Sequence, residues 1–163
     1  MKVQQALRPA IAALLLAAGT ALGQQPQPGD PWQKHEMLEP AKLAGILQSK
    51  DGKKPFLICT AFPVLYRAKH ITGAKFAGPG AKAEGIESLK KLVQDLPKDT
   101  DIVLYCGCCP MKQCPNLRPA FKALKEMGFT KIRALDIPTN MHTDWYTPGY
   151  PSEAGTASEA SGR

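Results

Sequence analysis

The chain has 163 residues, room for one domain and too few for two full-sized ones, and 44% of them are hydrophobic, so a packed core is expected. The formal charge is +7 at pH 7. Its lysines are interspersed with acidic residues instead of forming a basic block, the pattern of a solvated surface, and no nucleic-acid partner is expected.

The first segment in chain order is an address rather than a structural element. Lys2 and Arg8 flank the approach to an apolar run over residues 10–22, which ends in Ala21-Leu22-Gly23 before polar Gln24-Gln25. Basic, apolar and small-residue regions in that order make a secretory signal, so residues 1–23 are read as a signal peptide. The competing reading is an uncleaved anchor, but an apolar run of about 13 residues falls short of the ~20 that span a bilayer. The expected location is therefore exported, periplasmic or secreted, with no stable membrane insertion after cleavage. Residues 24–36 open with QQPQPGD and are expected to be a flexible lead-in.

A folded domain is expected over residues 37–151. Leu43, Ile46 and Leu47 give a short helix over residues 39–48, with Pro40 in its first turn. PFLICT at residues 55–60 is a continuous apolar run and reads as a buried strand. A short strand at residues 74–77 follows the loop that holds His70. After the break at Gly78-Pro79-Gly80, the stripe of Ile86, Leu89, Leu92, Val93 and Leu96 predicts a helix over residues 84–96. DIVLY at residues 101–105 is the clearest strand, and it runs straight into Cys106. A helix over residues 119–127 turns Phe121 and Leu124 inward and stops at Gly128. Residues 131–135 form a further strand. The chain after Ile137 is irregular through Trp145 and Gly149-Tyr150-Pro151, and residues 152–163 are a Ser-, Ala- and Gly-rich tail expected to be disordered. Alternating strands and helices predict an α/β fold with a central, mainly parallel sheet covered on both faces. Ligands of such sheets bind outside the carboxyl ends of the strands, where Cys106 stands.

Five cysteines, Cys59, Cys106, Cys108, Cys109 and Cys114, follow the signal segment. An odd number in an exported chain leaves at least one thiol unpaired. Four crowd into residues 106–114, whereas a structural disulfide framework ties distant segments together. The crowding marks a site. A nucleophilic cysteine works as its thiolate, which is favoured near a helix start or a cation. Gly107 lets backbone approach a bound group, and the loop amides with Lys112 and Arg118 are the expected anion-stabilising set. Against this, Lys112 and Arg118 are also readable as ordinary solvated residues. Cys59 reads as a small buried hydrophobe. His70 reads as a satisfied loop histidine, Met111 as loop packing, and Trp32 and Trp145 as core aromatics.

Three short motifs in order resemble the rhodanese-like sulfurtransferase family. They are Ile102-Val103-Leu104-Tyr105-Cys106 leading to Gly128-Phe129, the segment Tyr66-Arg67-Ala68-Lys69-His70-Ile71-Thr72-Gly73-Ala74, and Asp144-Trp145 with Gly149-Tyr150-Pro151. The resemblance covers residues 40–151. It implies the three-layer α/β/α rhodanese fold, with Cys106 as the carrier of a persulfide. The loop departs from that pattern: it is longer and lacks the arginine at the expected spacing. Lys112 stands where related phosphatases and arsenate reductases place arginine, and a lysine cannot clamp an oxyanion bidentately, which disfavours phosphatase chemistry.

Three chemistries fit these residues. The first is sulfur transfer through Cys106, the catalytic residue, with Gly107, Cys108, Cys109, Lys112 and Arg118 around the sulfur's charge. It needs no cofactor, and its partners are a small sulfur donor or acceptor, or a protein thiol. The second is thiol redox chemistry, with Cys109 or Cys114 resolving. The third is a soft-metal site for zinc or copper(I) on Cys106, Cys108, Cys109 and Cys114.

Overall fold

The computed structural model describes residues 27 and 29–156. The expected signal peptide and the last part of the expected tail lie outside the described residues. Three parallel strands form the middle of the molecule: β2 (Phe56–Cys59), β5 (Ile102–Tyr105) and β6 (Ile132–Leu135). All four residues of β5 are buried. An unbroken apolar run suits a strand with both faces covered, because neither face is left to water. Short strands β1 (Met37–Leu38) and β4 (Lys75–Phe76) extend the sheet, giving the order β1-β6-β5-β2-β4 with every pairing parallel.

Helices flank this sheet. Helix α1 (Pro40–Gln48) buries Leu43 and Ala44, and Pro40 occupies its first turn, where a missing N–H costs nothing. The apolar stripe of α3 (Ala83–Val93) buries Leu89 and Val93. Leu117, Ala120, Phe121 and Leu124 do the same for α4 (Leu117–Glu126), which packs against α3, β5 and β6. Each fully buried Leu or Phe contributes about 1.5–3 kcal/mol to the fold. Right-handed crossovers put α1, which leads toward β2, on one face, and α3 and α4, which lead back, on the other. The expected α/β class with a parallel sheet is the observed one.

Several elements were not expected from the sequence. Helix α2 (Pro63–Ala68) has six residues, too few for a helical period to declare itself. Strands β3 (His70–Ile71) and β7 (Ser152–Glu153) form a separate antiparallel pair. This pairing corrects the expected tail boundary, since Ser152 and Glu153 are part of the packed domain. The flexible lead-in is corrected likewise over its described part. Trp32, 2% exposed, packs edge-to-face on Phe121 at 5.5 Å, and residues Lys34–Glu36 form a 3-10 turn. Burying an indole outweighs the Pro- and Gln-rich composition before it. Among the described residues, no helix is long and apolar enough to cross a membrane.

The topology fixes where a site can form. The chain leaves β2 toward β4 on one side, and leaves β5 toward β6 on the other. The loops after Cys59 and Tyr105 therefore part, and a crevice opens between two neighbouring strands at their carboxyl ends. The open cleft lined by Lys53, Pro55, Phe56, Asp99 and Asp101 lies at the amino ends instead, away from the cysteines.

Candidate functional site

Cys106 follows the last residue of β5, 5% exposed. The backbone then turns sharply at Gly107, whose φ of 77° lies in the left-handed region. A Cβ there would collide with Cγ of Met141, so both the turn and the close approach require glycine. The turn reverses the chain and brings Cys108 Sγ to 3.0 Å from Cys106 Sγ. Next, the 3-10 turn Met111–Gln113 folds Cys114 back beneath the loop, 1% exposed, with its Sγ 3.9 Å from that of Cys108. Met111 is buried, and its N–H donates to the Ile137 carbonyl at 2.7 Å, which pins the turn. The sulfurs of Cys106, Cys108 and Cys114 all lie within 4.8 Å of one another. Every cysteine is free.

Asn116 completes the cluster. It occupies the N-cap position of α4, where asparagine ordinarily bonds the first helical amides, but here its side chain makes no cap bond. The amide Nδ2 instead donates to Cys106 Sγ at 3.5 Å and to Cys108 Sγ at 3.7 Å. Its Oδ1 accepts from the Ala81 N–H at 3.1 Å, which fixes which end faces the sulfurs. Gly80 makes room for this: a Cβ there would strike the Asn116 carbonyl. Asn116 is 1% exposed, so these bonds satisfy an amide that burial would otherwise penalise by about 1–3 kcal/mol.

The electrostatics concentrate one negative charge in the cluster. Hydrogen bonds from Cys106 and Cys114 hold the Cys108 thiol far below its ordinary range, with help from Cys109 and Asn116. Cys106 is pushed up to about 12, chiefly because it donates to Cys108, although the Cys108 backbone N–H favours its thiolate. Cys114 is driven strongly upward by its bonds with Cys106 and Cys108. Cys109 rises to about 12, first through desolvation and then through Cys108. One proton leaves the group readily, and the others are retained by the charge it leaves behind.

The structure redistributes the residues expected from the sequence. Cys106, Gly107, Cys108 and Cys114 come together. Cys109 lies 3.2 Å from Cys108 but outside the three sulfurs that all lie within 4.8 Å of one another, which corrects the four-cysteine metal set to three. Lys112 is exposed and offers its backbone carbonyl to the fold. The anion-stabilising role expected of Arg118 is corrected as well. Its guanidinium pairs with Asp30 at 2.7 Å, donates to the carbonyls of Cys114 and Lys112 at 3.1 and 2.9 Å, and lies over the Trp32 ring. Arg118 therefore braces the loop, and its charge is answered by Asp30. His70 stands in β3 and not in a loop, and it is satisfied there, stacked on Tyr66 at 3.8 Å and bonded to the Tyr66 carbonyl at 2.9 Å. Asn116 was missed. Its only signal was an N-cap residue type two positions after the last cysteine.

No family model matches the chain, and no curated protein matches it. Solved structures do. A rhodanese-like domain from Anabaena sp superposes with a TM-score of 0.54 at 19% identity, covering 74% of this chain and 80% of that one. A rhodanese-like domain protein from Staphylococcus aureus gives 0.50 at 14% identity, covering 74% of this chain and 98% of the other. Thiosulfate sulfurtransferase from Pseudomonas aeruginosa gives 0.53 at 21% identity, covering 74% of this chain and 20% of that protein. At these identities the likeness establishes the fold, and the fold is rhodanese-like, with the cysteine cluster in the loop after β5.

Proposed function

We propose that this chain is an exported sulfurtransferase that carries sulfane sulfur as a persulfide on Cys106. The observation that carries the reading is the 3.0 Å contact between Cys106 and Cys108, set at the carboxyl end of the central strand. Cys106 attacks as its thiolate, its proton going to solvent, with the Asn116 amide and the loop sulfurs beside it. A sulfane-sulfur donor presents its outer sulfur. As the Cys106 S–S bond forms, the donor's own S–S bond breaks, and the bonding pair leaves with the departing anion. An acceptor thiolate, from a small molecule or a protein, then takes the outer sulfur, and the Cys106 S–S bond breaks with its pair left on Cys106, which is restored as the thiolate. No external oxidant or reductant is consumed. Asn116 donates to both sulfurs and steadies the charge through the exchange. The basic and apolar N-terminal run supports export, and N-terminal sequencing of the secreted chain should find it starting after residue 23.

The test is mass spectrometry of the reduced protein after exposure to thiosulfate. One added sulfur atom should map to Cys106, and cyanide should remove it as thiocyanate. Sulfur found on another cysteine, or none bound, overturns the assignment. A thiol–disulfide role is the second reading, favoured by three sulfurs lying within 4.8 Å. The same spectra distinguish it, because oxidation would instead remove two hydrogens.

A further inference from the structure

We propose that Cys106, Cys108 and Cys114 form a three-sulfur binding site for monovalent copper. The donor set is sulfur alone, and among the described residues these three converge without a histidine or carboxylate. Thiolates of this kind select soft ions, and copper(I) is the soft ion content with three of them. Zinc in closed structural sites takes four ligands, and the fourth cysteine of the loop stands outside the converging group.

The spacing fits. A metal about 2.3 Å from each of three sulfurs, at its centre, leaves them about 4 Å apart. The cluster spans 3.0 Å between Cys106 and Cys108 and 3.9 Å between Cys108 and Cys114, with no separation above 4.8 Å. Small side-chain rotations suffice, and the backbone stays where Gly107 and the 3-10 turn hold it. The surroundings are equally suited. Met111 and Met141 are buried, Met141 against Gly107, and of the three cysteines only Cys108 is partly exposed. Asn116 donates to two of the three sulfurs, an outer layer that fixes their orientation and offsets part of their charge. Binding moves no electrons: three Cu–S bonds form, and the remaining thiol protons go to solvent.

This site shares its sulfurs with the proposed persulfide carrier, so copper and sulfur donor compete for it. Copper binding is nonetheless measured without any transfer assay, and its failure leaves the transfer reading untouched.

The test is anaerobic titration of the reduced full chain with copper(I) against a chromophoric copper(I) chelator. One ion per chain is expected. Cys106→Ser, Cys108→Ser and Cys114→Ser should each weaken binding by about a hundredfold, and Asn116→Ala by about tenfold. Cys109→Ser and Cys59→Ser should leave it unchanged. X-ray absorption of the wild-type complex supplies a readout independent of how the variants fold, and three sulfur neighbours are expected. Four sulfurs, a loss in Cys109→Ser equal to the others, or displacement of copper(I) by equimolar zinc would each overturn the proposal.

Discussion

Two neighbouring strands of this molecule reach the crevice with a cysteine, and only one of those cysteines becomes part of a site. Cys59 ends β2, paired in register with Tyr105, the residue just before Cys106. Beyond Cys59 the chain stays tied to the sheet. Thr60 donates its N–H to the Tyr105 carbonyl at 2.8 Å, and the Cys59 carbonyl accepts from Ala77 at 3.0 Å. Cys59 is sealed there, and burial pushes its thiol up to about 11. Beyond Cys106 the chain breaks away at Gly107 and returns with two further sulfurs and an amide. The strand end supplies a position; the loop after it supplies the chemistry.

The largest contrast is in activity. Cys106→Ser should lower cyanide-dependent sulfur transfer about a thousandfold or more, as loss of a nucleophile does. Cys59→Ala should leave it intact while costing about 1 kcal/mol of stability through a small void. Equal rates for the Cys106 variant and wild type, measured as thiocyanate formed, would erase the distinction between the two strand ends.

Gly107→Ala attacks the turn that separates them. A left-handed φ costs an L-residue about 1–2 kcal/mol, and displacing Met141 adds roughly 1–3 kcal/mol of overpacking. Denaturant melts should show the sum, and transfer should fall with it because Cys108 moves off Cys106. Unchanged stability would mean that the loop tolerates another path to the same cluster.

How much of this was readable beforehand follows from how far each cause reaches along the chain. The strand β5, its terminal Cys106 and the glycine after it are adjacent residues, and a continuous apolar run declares a buried strand by itself. The partners of Asn116 and Arg118 are not adjacent. Asn116 is aimed by Ala81, 35 positions earlier, and Arg118 is claimed by Asp30, 88 positions earlier. No local pattern reveals either. Spacing also pointed to Cys109 as the partner of Cys106, by its C-x-x-C interval. The 3-10 turn at Met111–Gln113 decides for Cys114 instead, and that turn is held by Ile137, far downstream.

Asn116→Ala asks whether the amide is part of the contrast. It leaves the Ala81 N–H unpaired and removes two donors from the sulfurs, so stability should fall by about 1–2 kcal/mol. It should also raise the Cys108 thiol. Wild-type alkylation of Cys108 should stay nearly flat in mildly acidic solution, where an ordinary thiol slows about tenfold per pH unit. The variant's profile should bend only at the acid end of that range, because Asn116 is the smallest of the contributions that lower Cys108. An ordinary dependence in the variant would make the amide, and not the sulfur neighbours, the main cause.

The smallest effect is thermodynamic and lies on the Cys59 side. Its folded thiol is raised to about 11, while the unfolded chain ionises it near the ordinary value of about 8.5. Below that value both states keep the proton, and pH changes nothing through this group. Above it the unfolded state gives up a proton that the folded state retains, so stability falls as pH rises, by at most ~1.4 kcal/mol per unit. The loop thiols that are raised by their neighbours add to the same alkaline decline, but they do so equally with or without Cys59. Subtracting the stability of Cys59→Ala from that of wild type therefore isolates the buried thiol. That difference should be constant up to about pH 8 and then shrink by about 1 kcal/mol near pH 9.5. A difference that holds constant across the range would show that Cys59 ionises as freely in the fold as out of it, and the sealed end of β2 would then be no more closed than the loop beside it.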